Sequence, residues 1–378
     1  MTVWDELTGQ DEAIATFRQA AENPGAAMTH AWLITGPPGS GRSNLAFAFA
    51  TALLSPGTPD GDRITRRQVD ARTHPDMSVL STERVIISID EVRELVAGSN
   101  FSPSVSRYRV MIIEDADRMT ERTSNVLLKS LEEPPPRTIW ILCAPSEADL
   151  IPTIRSRVRA VRLRVPGVAD VAELLIRRDG VDAALAEQAA RQAQSHIGMA
   201  RRLATSSDAR ARRDETLDLV LGIRTVADAV NAAGRLLQIA ADDAKAIVEE
   251  QDQEERDRAL RSLGVEPGAT PPPSVRAQLR ALEEDQKRRA TRSLRDGIDR
   301  ILVDLLSLYR DVLMRQLGSP SELVNRERSS QLDVLSTHST PAATIASLDA
   351  IATARRRIDG NVAPALALEA MLVPLARG

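Results

Sequence analysis

Cysteine, lysine and aromatic side chains are scarce in this chain of 378 residues. The single cysteine, Cys143, excludes an internal disulfide and a cysteine-based zinc cage, and it favours a reducing compartment such as the cytoplasm. The three Trp, two Tyr and four Phe are too few for the stacking platforms that bind single-stranded nucleic acids. Lysine occurs only at three positions, so arginine is the ordinary cation of this protein.

Long hydrophobic runs and a large excess of one charge are also missing. No apolar run approaches the ~20 residues of a transmembrane helix, and the acidic, polar first residues predict no signal peptide, so we expect no membrane contact. The net charge of −4 argues against a protein that coats nucleic acid by bulk electrostatics. A composition of 43% hydrophobic and 27% charged residues is typical of a globular protein, and the length predicts two or three domains.

The first part of the chain alternates short apolar runs with helical patterns, which is typical of a parallel sheet built from strand–helix–strand units. The predicted strands are Ala31–Thr35, Val85–Ile89, Arg109–Ile113, Thr138–Ala144 and Arg159–Val165. Helical patterns without strand signals follow. We therefore predict an α/β nucleotide-binding-type domain over residues 1–165, a small helical lid over 166–207 and an all-helical domain over 208–378.

Two features are expected within the helical domain. A charged, Pro-rich stretch near 249–274, with three consecutive prolines, predicts a flexible insertion. A set of apolar residues has the spacing of one helix face. Its members are Ile298, Ile301, Leu302, Leu305, Tyr309, Val312 and Leu313.

A glycine-rich turn directly follows the first predicted strand and precedes an apolar helix. This order predicts a phosphate-binding loop. Gly36, Gly39 and Gly41 let backbone N–H groups surround an anion, and Ser43 stands where a hydroxyl would hold Mg²⁺. Arg42 occupies the position that normally carries lysine, and a forked guanidinium does not replace a compact ammonium between phosphates. The loop is therefore predicted to hold nucleotide weakly and to hydrolyse it poorly.

A second acidic motif ends the predicted strand Arg109–Ile113. Glu114 and Asp115 stand where strand-end carboxylates of phosphate-loop proteins hold Mg²⁺ and orient water. The order is Glu then Asp, whereas an active ATPase usually has Asp then Glu. The shorter second side chain would leave a catalytic carboxylate too far from its water.

These motifs and several others resemble the clamp-loader branch of the AAA+ family, in particular the delta-prime subunits of bacterial DNA polymerase III. The matching stretches are Leu7–Gln10, His30–Gly39, Thr73–Asp76, Ile89–Arg93, Asn125–Pro135 and Thr153–Arg157. The stretch Leu127-Leu-Lys-Ser-Leu-Glu-Glu-Pro-Pro135, followed by Ile154-Arg-Ser-Arg157, is the most specific of them. The region from Gln286 to Val312 resembles helices of the oligomerisation collar in actinobacterial members.

The resemblance implies an AAA+ phosphate-loop domain, a lid and a helical collar in a ring of different subunits with ATP at their interfaces. Arg157, with Ser156, is then the candidate arginine finger that acts in trans on ATP bound by a neighbour. The alternative for Arg157 is a plain surface ion pair. Arg201 resembles the lid arginine that senses nucleotide, although a basic residue on a helix explains it equally well. Thr153 and Arg155 are expected to support the same turn, and His74 is expected to be structural.

The chain departs from the family in its own nucleotide chemistry and in one metal site. Arg42 and the Glu114–Asp115 order predict no ATPase activity in the isolated chain, so we expect ATP and Mg²⁺ at most weakly bound. Most relatives carry four zinc-binding cysteines in the loop corresponding to Ser55–Thr73, which contains none here, so no zinc and no other metal site is predicted.

The resemblance implies a scaffolding subunit of the DNA polymerase III holoenzyme (DNA-directed DNA polymerase, 2.7.7.7 for the whole complex) in DNA replication. Its expected partners are the gamma/tau and delta subunits, and through them the sliding clamp and primer-template DNA. Two alternatives remain open. One is an ATP-hydrolysing gamma/tau-type motor, and the other is a stand-alone phosphate-loop enzyme, which would leave the Ile154–Arg157 turn and the helical tail unexplained.

Overall fold

The protein folds into two compact units, Met1–Thr205 and Ser206–Gly378. The structure is a computed structural model that describes residues 3–377 except 5–6, 24, 26, 38, 83–85 and 263–272. The side chains of 247–293 and of 376–378 are also outside the description.

The first unit contains a five-stranded parallel sheet with strand order β2-β3-β4-β1-β5. The strands are β1 Ala31–Thr35, β2 Met77–Leu80, β3 Arg109–Ile113, β4 Thr138–Ala144 and β5 Arg159–Arg162. Its helices are α1 Asp11–Glu22, α2 Arg42–Leu54, α3 Pro59–Asp70, α4 Ile89–Ser99, α5 Glu121–Glu132, α6 Pro152–Arg155, α7 Val168–Asp179, α8 Ala183–Gln192 and α9 Ile197–Thr205. The predicted α/β class is confirmed.

Three predicted strands are confirmed at their predicted bounds, and β5 ends earlier than predicted. Val85 lies outside the described residues, and in the rest of the predicted strand Val85–Ile89 the prediction is wrong. Ile87 makes only an isolated bridge to Met119, and Ile89 begins α4. The Ser88 hydroxyl accepts from the Glu91 N–H, and the Glu91 carboxylate accepts from the Ser88 N–H, so a capping box turns this β-branched run into a helix start. The second strand is Met77–Leu80.

The central strands are buried on both faces, which explains their uninterrupted apolar runs. Along β1, Trp32 and Ile34 face one core layer with α1 and α2, where the rings of Phe17 and Phe49 pack against Trp32. Leu33 faces the other layer, with α4 and α5. Because the strands are parallel, the carboxyl ends of β1, β3 and β4 meet at one edge of the sheet, and the candidate site residues follow β1 and β3 there.

The described residues of the second unit form helices and no strand. They are α10 Ser207–Leu221, α11 Val226–Ser262, α12 Pro273–Gln316, α13 Ser329–His338, α14 Pro341–Asp359 and α15 Pro364–Leu372. The predicted apolar face of α12 is confirmed, since all of its members except Leu313 are buried in the core of this unit.

A buried polar network crosses this core. The Arg213 guanidinium donates to the Asp304 carboxylate at 2.9 Å and to the Asn325 amide oxygen at 2.6 Å. The Asn325 amide nitrogen in turn donates to Asp311 at 2.9 Å. Arg213 is only 6% exposed, so this charge depends on its protein partners rather than on water.

The segment predicted as a flexible insertion divides into two parts. Residues 249–262 continue α11 as helix. Most of the Gly264–Ser274 stretch lies outside the described residues. No helix within the described part of the chain is long and apolar enough to cross a membrane.

Candidate functional site

The glycine-rich turn after β1, which is predicted to bind phosphate, connects this strand to α2. Gly39 and Gly41 have φ angles of +80° and +90°, in the left-handed region that favours glycine. A Cβ on Gly36 would come within 2.6 Å of the Ser40 hydroxyl oxygen, so this position also requires glycine. The turn leads into α2, whose second residue is the half-buried Ser43. The sequence therefore forms the predicted strand–loop–helix unit.

Arg42 folds back onto the loop to which it belongs. Its Nη1 donates to the Gly36 carbonyl oxygen, across the turn. The lysine normally found at this position points its charge at phosphates, whereas this guanidinium is engaged with the backbone of its own loop.

Two residues of the predicted lid (166–207) lie against the same loop. The ring of His196 lies so close to Gly39 that a Cβ on this glycine would come within 2.3 Å of the ring. The N–H of Ile197, the first residue of α9, points at the Gly39 carbonyl oxygen, at 3.5 Å. Gln194 and Ser195 both have positive φ angles, so an unusual turn aims His196 at the loop. This contact was not predicted from the sequence.

The acidic end of β3 is held by arginines. Glu114 forms an ion pair with Arg72 at 2.6 Å, and Asp115 lies 3.9 Å from Arg118. Arg72 also stacks over the Phe47 ring of α2, at 5.3 Å from the ring centroid. The predicted magnesium-binding carboxylate Glu114 is thus neutralised by a cation of the same chain.

A buried thiol lies between the phosphate loop and this acidic end. Cys143 is completely buried on β4, between the strands that carry the two motifs. Burial raises the pKa of its thiol, and the charge of Glu114 raises it further, while Arg42 opposes the change. Burial and the charge of Asp115 also raise the pKa of Asp117 against the effect of Arg42. The fold therefore places Arg42 and the acidic motif after the two strands that flank β4.

These residues do not fit a bound magnesium triphosphate in this arrangement. The lid ring lies on Gly39, Arg42 is engaged with Gly36, and Glu114 is paired with Arg72. Within the described residues, no three His, Cys, Asp or Glu side chains are grouped as a metal site. The loop predicted to lack zinc contains α3, whose Thr65 and Val69 are buried. The absence of zinc and the weak binding of ATP remain predictions.

The candidate finger Arg157 lies at the surface on the turn after α6. Its Nη1 donates to the Thr153 carbonyl oxygen at 2.6 Å and to the Ser156 hydroxyl oxygen at 3.1 Å. Its Nη2 lies 2.5 Å from the Glu132 carboxylate, in an ion pair in which the Arg157 side chain is 33% exposed. The Thr153 backbone therefore supports the turn, whereas the Arg155 side chain makes no hydrogen bond or ion pair within the described residues.

Arg201, the candidate sensor, is turned towards another helix of the lid. Its Nε donates to the Asp179 carboxylate at 3.0 Å, and its side chain is 60% exposed. Burial acts to raise the pKa of Asp179, but hydrogen bonds and charges from Arg178 and Arg201 outweigh it and hold the pKa below its usual value. The structure thus places Arg201 in an ion pair within the lid.

The Thr73–Asp76 stretch has a structural role, as predicted for His74. Asp76 is fully buried, and its carboxylate accepts hydrogen bonds from the N–H groups of Ser104, Val105 and Ser106, at 2.5–2.8 Å. The His74 Nδ1 accepts from the Asp76 N–H at 3.1 Å. Burial would raise the pKa of Asp76, but these hydrogen bonds outweigh it and lower the pKa.

Comparisons with known proteins agree with the motifs of the first unit. Residues 9–166 match the model of a family described as DNA polymerase III, delta subunit. DNA polymerase III subunit delta' of Pseudomonas aeruginosa is 35% identical over 154 residues, which cover 39% of this chain and 47% of that protein. Residues 9–166 are therefore similar to this family. The resemblance to delta-prime clamp-loader subunits is confirmed, while the assignment to actinobacterial members stays a prediction.

Proteins described as gamma/tau subunits of DNA polymerase III are also similar to the chain. DNA polymerase III subunit gamma/tau of Mycobacterium tuberculosis is 28% identical over 179 residues, covering 42% of this chain and 28% of that protein. Among solved structures, a gamma subunit-related protein from Thermotoga maritima aligns over 97% of this chain and 99% of its own, with 17% identity and a TM-score of 0.43. The chain spans less than half the length of the two curated relatives.

Proposed function

We propose that the chain is a non-motor subunit of a DNA polymerase III clamp loader, in which Arg157 completes the ATP site of a neighbouring gamma/tau motor subunit. In this role it assembles with gamma/tau and delta subunits and helps to load the sliding clamp onto primer-template DNA. An arginine finger supplied in trans is worth about 10³–10⁵ in hydrolysis rate, because its charge meets the negative charge that develops on the γ-phosphate.

The observation that carries the proposal is the contrast between the two arginine positions. Arg42, which belongs to the chain's own phosphate loop, is engaged with the Gly36 carbonyl under the lid. Arg157 lies at the surface, held by its own turn and by Glu132. Arg42 is thus bonded within its own loop, whereas Arg157 lies at the surface, where a neighbouring subunit can reach it.

The ion pair with Glu132 is also what a plain surface arginine would make, and such exposed pairs contribute only about 0–1 kcal/mol to stability. Two observations favour the finger. The guanidinium is fixed by a backbone carbonyl and a hydroxyl besides the carboxylate. It also lies in the Ser156–Arg157 pair that matches the clamp-loader motif.

The test replaces Arg157 in a loader assembled from the purified chain with gamma/tau and delta subunits. We expect Arg157→Ala to leave assembly intact and to reduce ATP turnover at the motor site next to this chain by about 10³-fold. Arg155→Ala is the matched control, because Arg155 lies in the same turn and makes no hydrogen bond or ion pair within the described residues. Equal turnover for the two variants would refute the finger.

The competing function is an ATP-hydrolysing gamma/tau-type motor, which the similarity to gamma/tau subunits favours. The isolated chain distinguishes the two. A motor would turn over ATP at about 1 s⁻¹ or faster, within the ordinary range for enzymes. The non-motor proposal predicts no turnover above background, and it predicts the same for Arg42→Lys, because Glu114 remains paired with Arg72.

A further inference from the structure

Glu132 is the last residue of α5, and its carboxylate contacts the candidate finger. The ion pair to Arg157 is the only hydrogen bond or ion pair of the Glu132 side chain within the described residues. The neighbouring Glu133 is also a carboxylate and is also exposed, but it makes no such bond to Arg157. Of these two adjacent glutamates, only Glu132 is positioned to form an ion pair with Arg157 in the described part of the chain.

The end of α5 that carries Glu132 is anchored on several sides. Leu131 and Ile154 are both buried in the same core layer, which joins α5 to α6 just before the Arg157 turn. The His30 Nε2 lies 2.8 Å from the Leu131 carbonyl oxygen and ties this helix end to the beginning of β1. A carboxylate on such a support holds its partner in one place.

Among the residues that the structure describes, Nη1 and Nη2 of Arg157 contact neighbouring residues, whereas its Nε–H does not. A guanidinium has five N–H donors in a fixed plane. Nη1 donates to the Thr153 carbonyl oxygen and to the Ser156 hydroxyl oxygen, and Nη2 lies 2.5 Å from the Glu132 carboxylate in an ion pair. The Nε–H makes no hydrogen bond within the described residues. Nε and the adjoining Nη2 form the side of the guanidinium, the Nε edge, that can bind phosphate oxygens in a bidentate manner.

We infer that Glu132 is a positioning residue, which holds the Arg157 guanidinium so that its Nε edge faces the phosphate of a neighbouring subunit. This inference rests on the proposed function. An unrestrained arginine on the surface samples many rotamers, and ordering it at the moment of reaction costs rate. Because the carboxylate orders the side chain before the reaction, no conformational entropy is lost at that step. A small misplacement of the guanidinium would lower the rate of hydrolysis strongly.

The experiment measures ATP turnover in loaders in which only the motor site next to this chain is able to hydrolyse. We expect Glu132→Gln to lower kcat about tenfold and to leave the KM for ATP unchanged, because the arginine itself remains. Glu133→Gln removes the same charge from the adjacent residue and is expected to behave as the unmodified chain. Glu132→Asp is expected to restore part of the rate, since it keeps the charge at a shorter reach.

A double variant separates positioning from a structural effect. If Glu132 acts through Arg157, Glu132→Ala has no further effect on kcat when Arg157 is already alanine. A similar loss in both backgrounds would overturn the inference. A higher kcat for Glu132→Gln would overturn it as well, because the carboxylate would then restrain the finger rather than present it.

The outcomes for the inference and for the proposed function are distinguishable. If Arg157→Ala leaves turnover unchanged, the proposed function fails. If Arg157→Ala abolishes turnover while Glu132→Gln and Glu133→Gln are equal, only the positioning role of Glu132 fails.

Discussion

His196 of the lid lies directly against Gly39 of the phosphate loop, so that even a single added carbon on this glycine would overlap its ring. The lid therefore packs directly on the loop at this position. The turn that places His196 there contains two consecutive non-glycine residues in the left-handed region, Gln194 and Ser195.

Gly39→Ala is expected to lower the free energy of unfolding of the first unit by more than the strain of an alanine at this φ angle alone. An alanine at this positive φ costs about 1–2 kcal/mol, and the overlap with His196 adds about 1–3 kcal/mol. Urea unfolding followed by tryptophan fluorescence measures this unit, because all three tryptophans lie within it.

The matched control for this variant is Gly57→Ala. Gly57 has nearly the same φ, +81°, but no atom lies within 4 Å of a Cβ built there. The double variant Gly39→Ala, His196→Ala is expected to return to the stability of the control. If Gly39→Ala and Gly57→Ala were equally stable, His196 would not be packed on the loop.

His196→Ala is expected to increase the affinity of the isolated chain for ATP about tenfold. A lid that closes on the loop lowers the apparent affinity by the fraction of molecules in which the loop is accessible, and a smaller side chain raises that fraction. Titration with a fluorescent ATP analogue measures the change. His338→Ala, on an exposed histidine of the second unit, is the control. An unchanged affinity would show that the lid does not limit access.

Asp76→Asn is expected to destabilise the first unit by about 2 kcal/mol at neutral pH, because a carboxylate that accepts several backbone hydrogen bonds is replaced by an amide. The folded pKa of Asp76 lies below its ordinary value of 3.8, so its ionised form stabilises the protein above that pH. This contribution is lost as the pH falls through the lowered pKa.

The pH dependence provides the control for the Asp76 prediction. In the unmodified chain, the contribution of Asp76 to the unfolding free energy begins to fall as the pH drops below 3.8 and falls further towards the lowered folded pKa, and in Asp76→Asn this part of the slope disappears. Asp90→Asn changes an exposed carboxylate and is expected to leave the stability nearly unchanged. Identical slopes for Asp76→Asn and the unmodified chain would contradict the role of this carboxylate.

Arg213→Ala is expected to destabilise the second unit by about 3–5 kcal/mol, since it leaves Asp304 and Asn325 without their buried partner. Hydrogen exchange of residues 206–378 measures this unit separately from the first. Arg235→Ala is the comparison, because Arg235 pairs with Glu215 at the surface and is 47% exposed. Equal protection of the two variants would show that the buried network contributes no more than a surface pair.

The sequence predicts the elements of this fold better than the contacts of its site. The strands Ala31–Thr35 and Thr138–Ala144 are correctly predicted because a central parallel strand is apolar on both faces. The segment Val85–Ile89 is also rich in β-branched residues, but the Ser88–Glu91 capping box begins a helix at Ile89. Strand propensity and helix capping compete there, and capping prevails.

The partners of the site residues could not be predicted, because they come from distant parts of the chain. Arg72 reaches Glu114 from the end of α3, and Glu132 reaches Arg157 from the end of α5. Motif spacing identifies which residues belong to a site, but a chain with so many arginines offers many possible cations for each carboxylate. Only the packed structure selects among them.

The burial of Cys143 has a practical consequence for following assembly. A thiol enclosed in the core with a raised pKa is unreactive towards maleimides and similar reagents while the protein is folded. A cysteine introduced at the exposed Arg155 would then be the sole labelled position of this chain. A dye attached there would report when another subunit approaches the Arg157 turn, without any need to remove the native thiol.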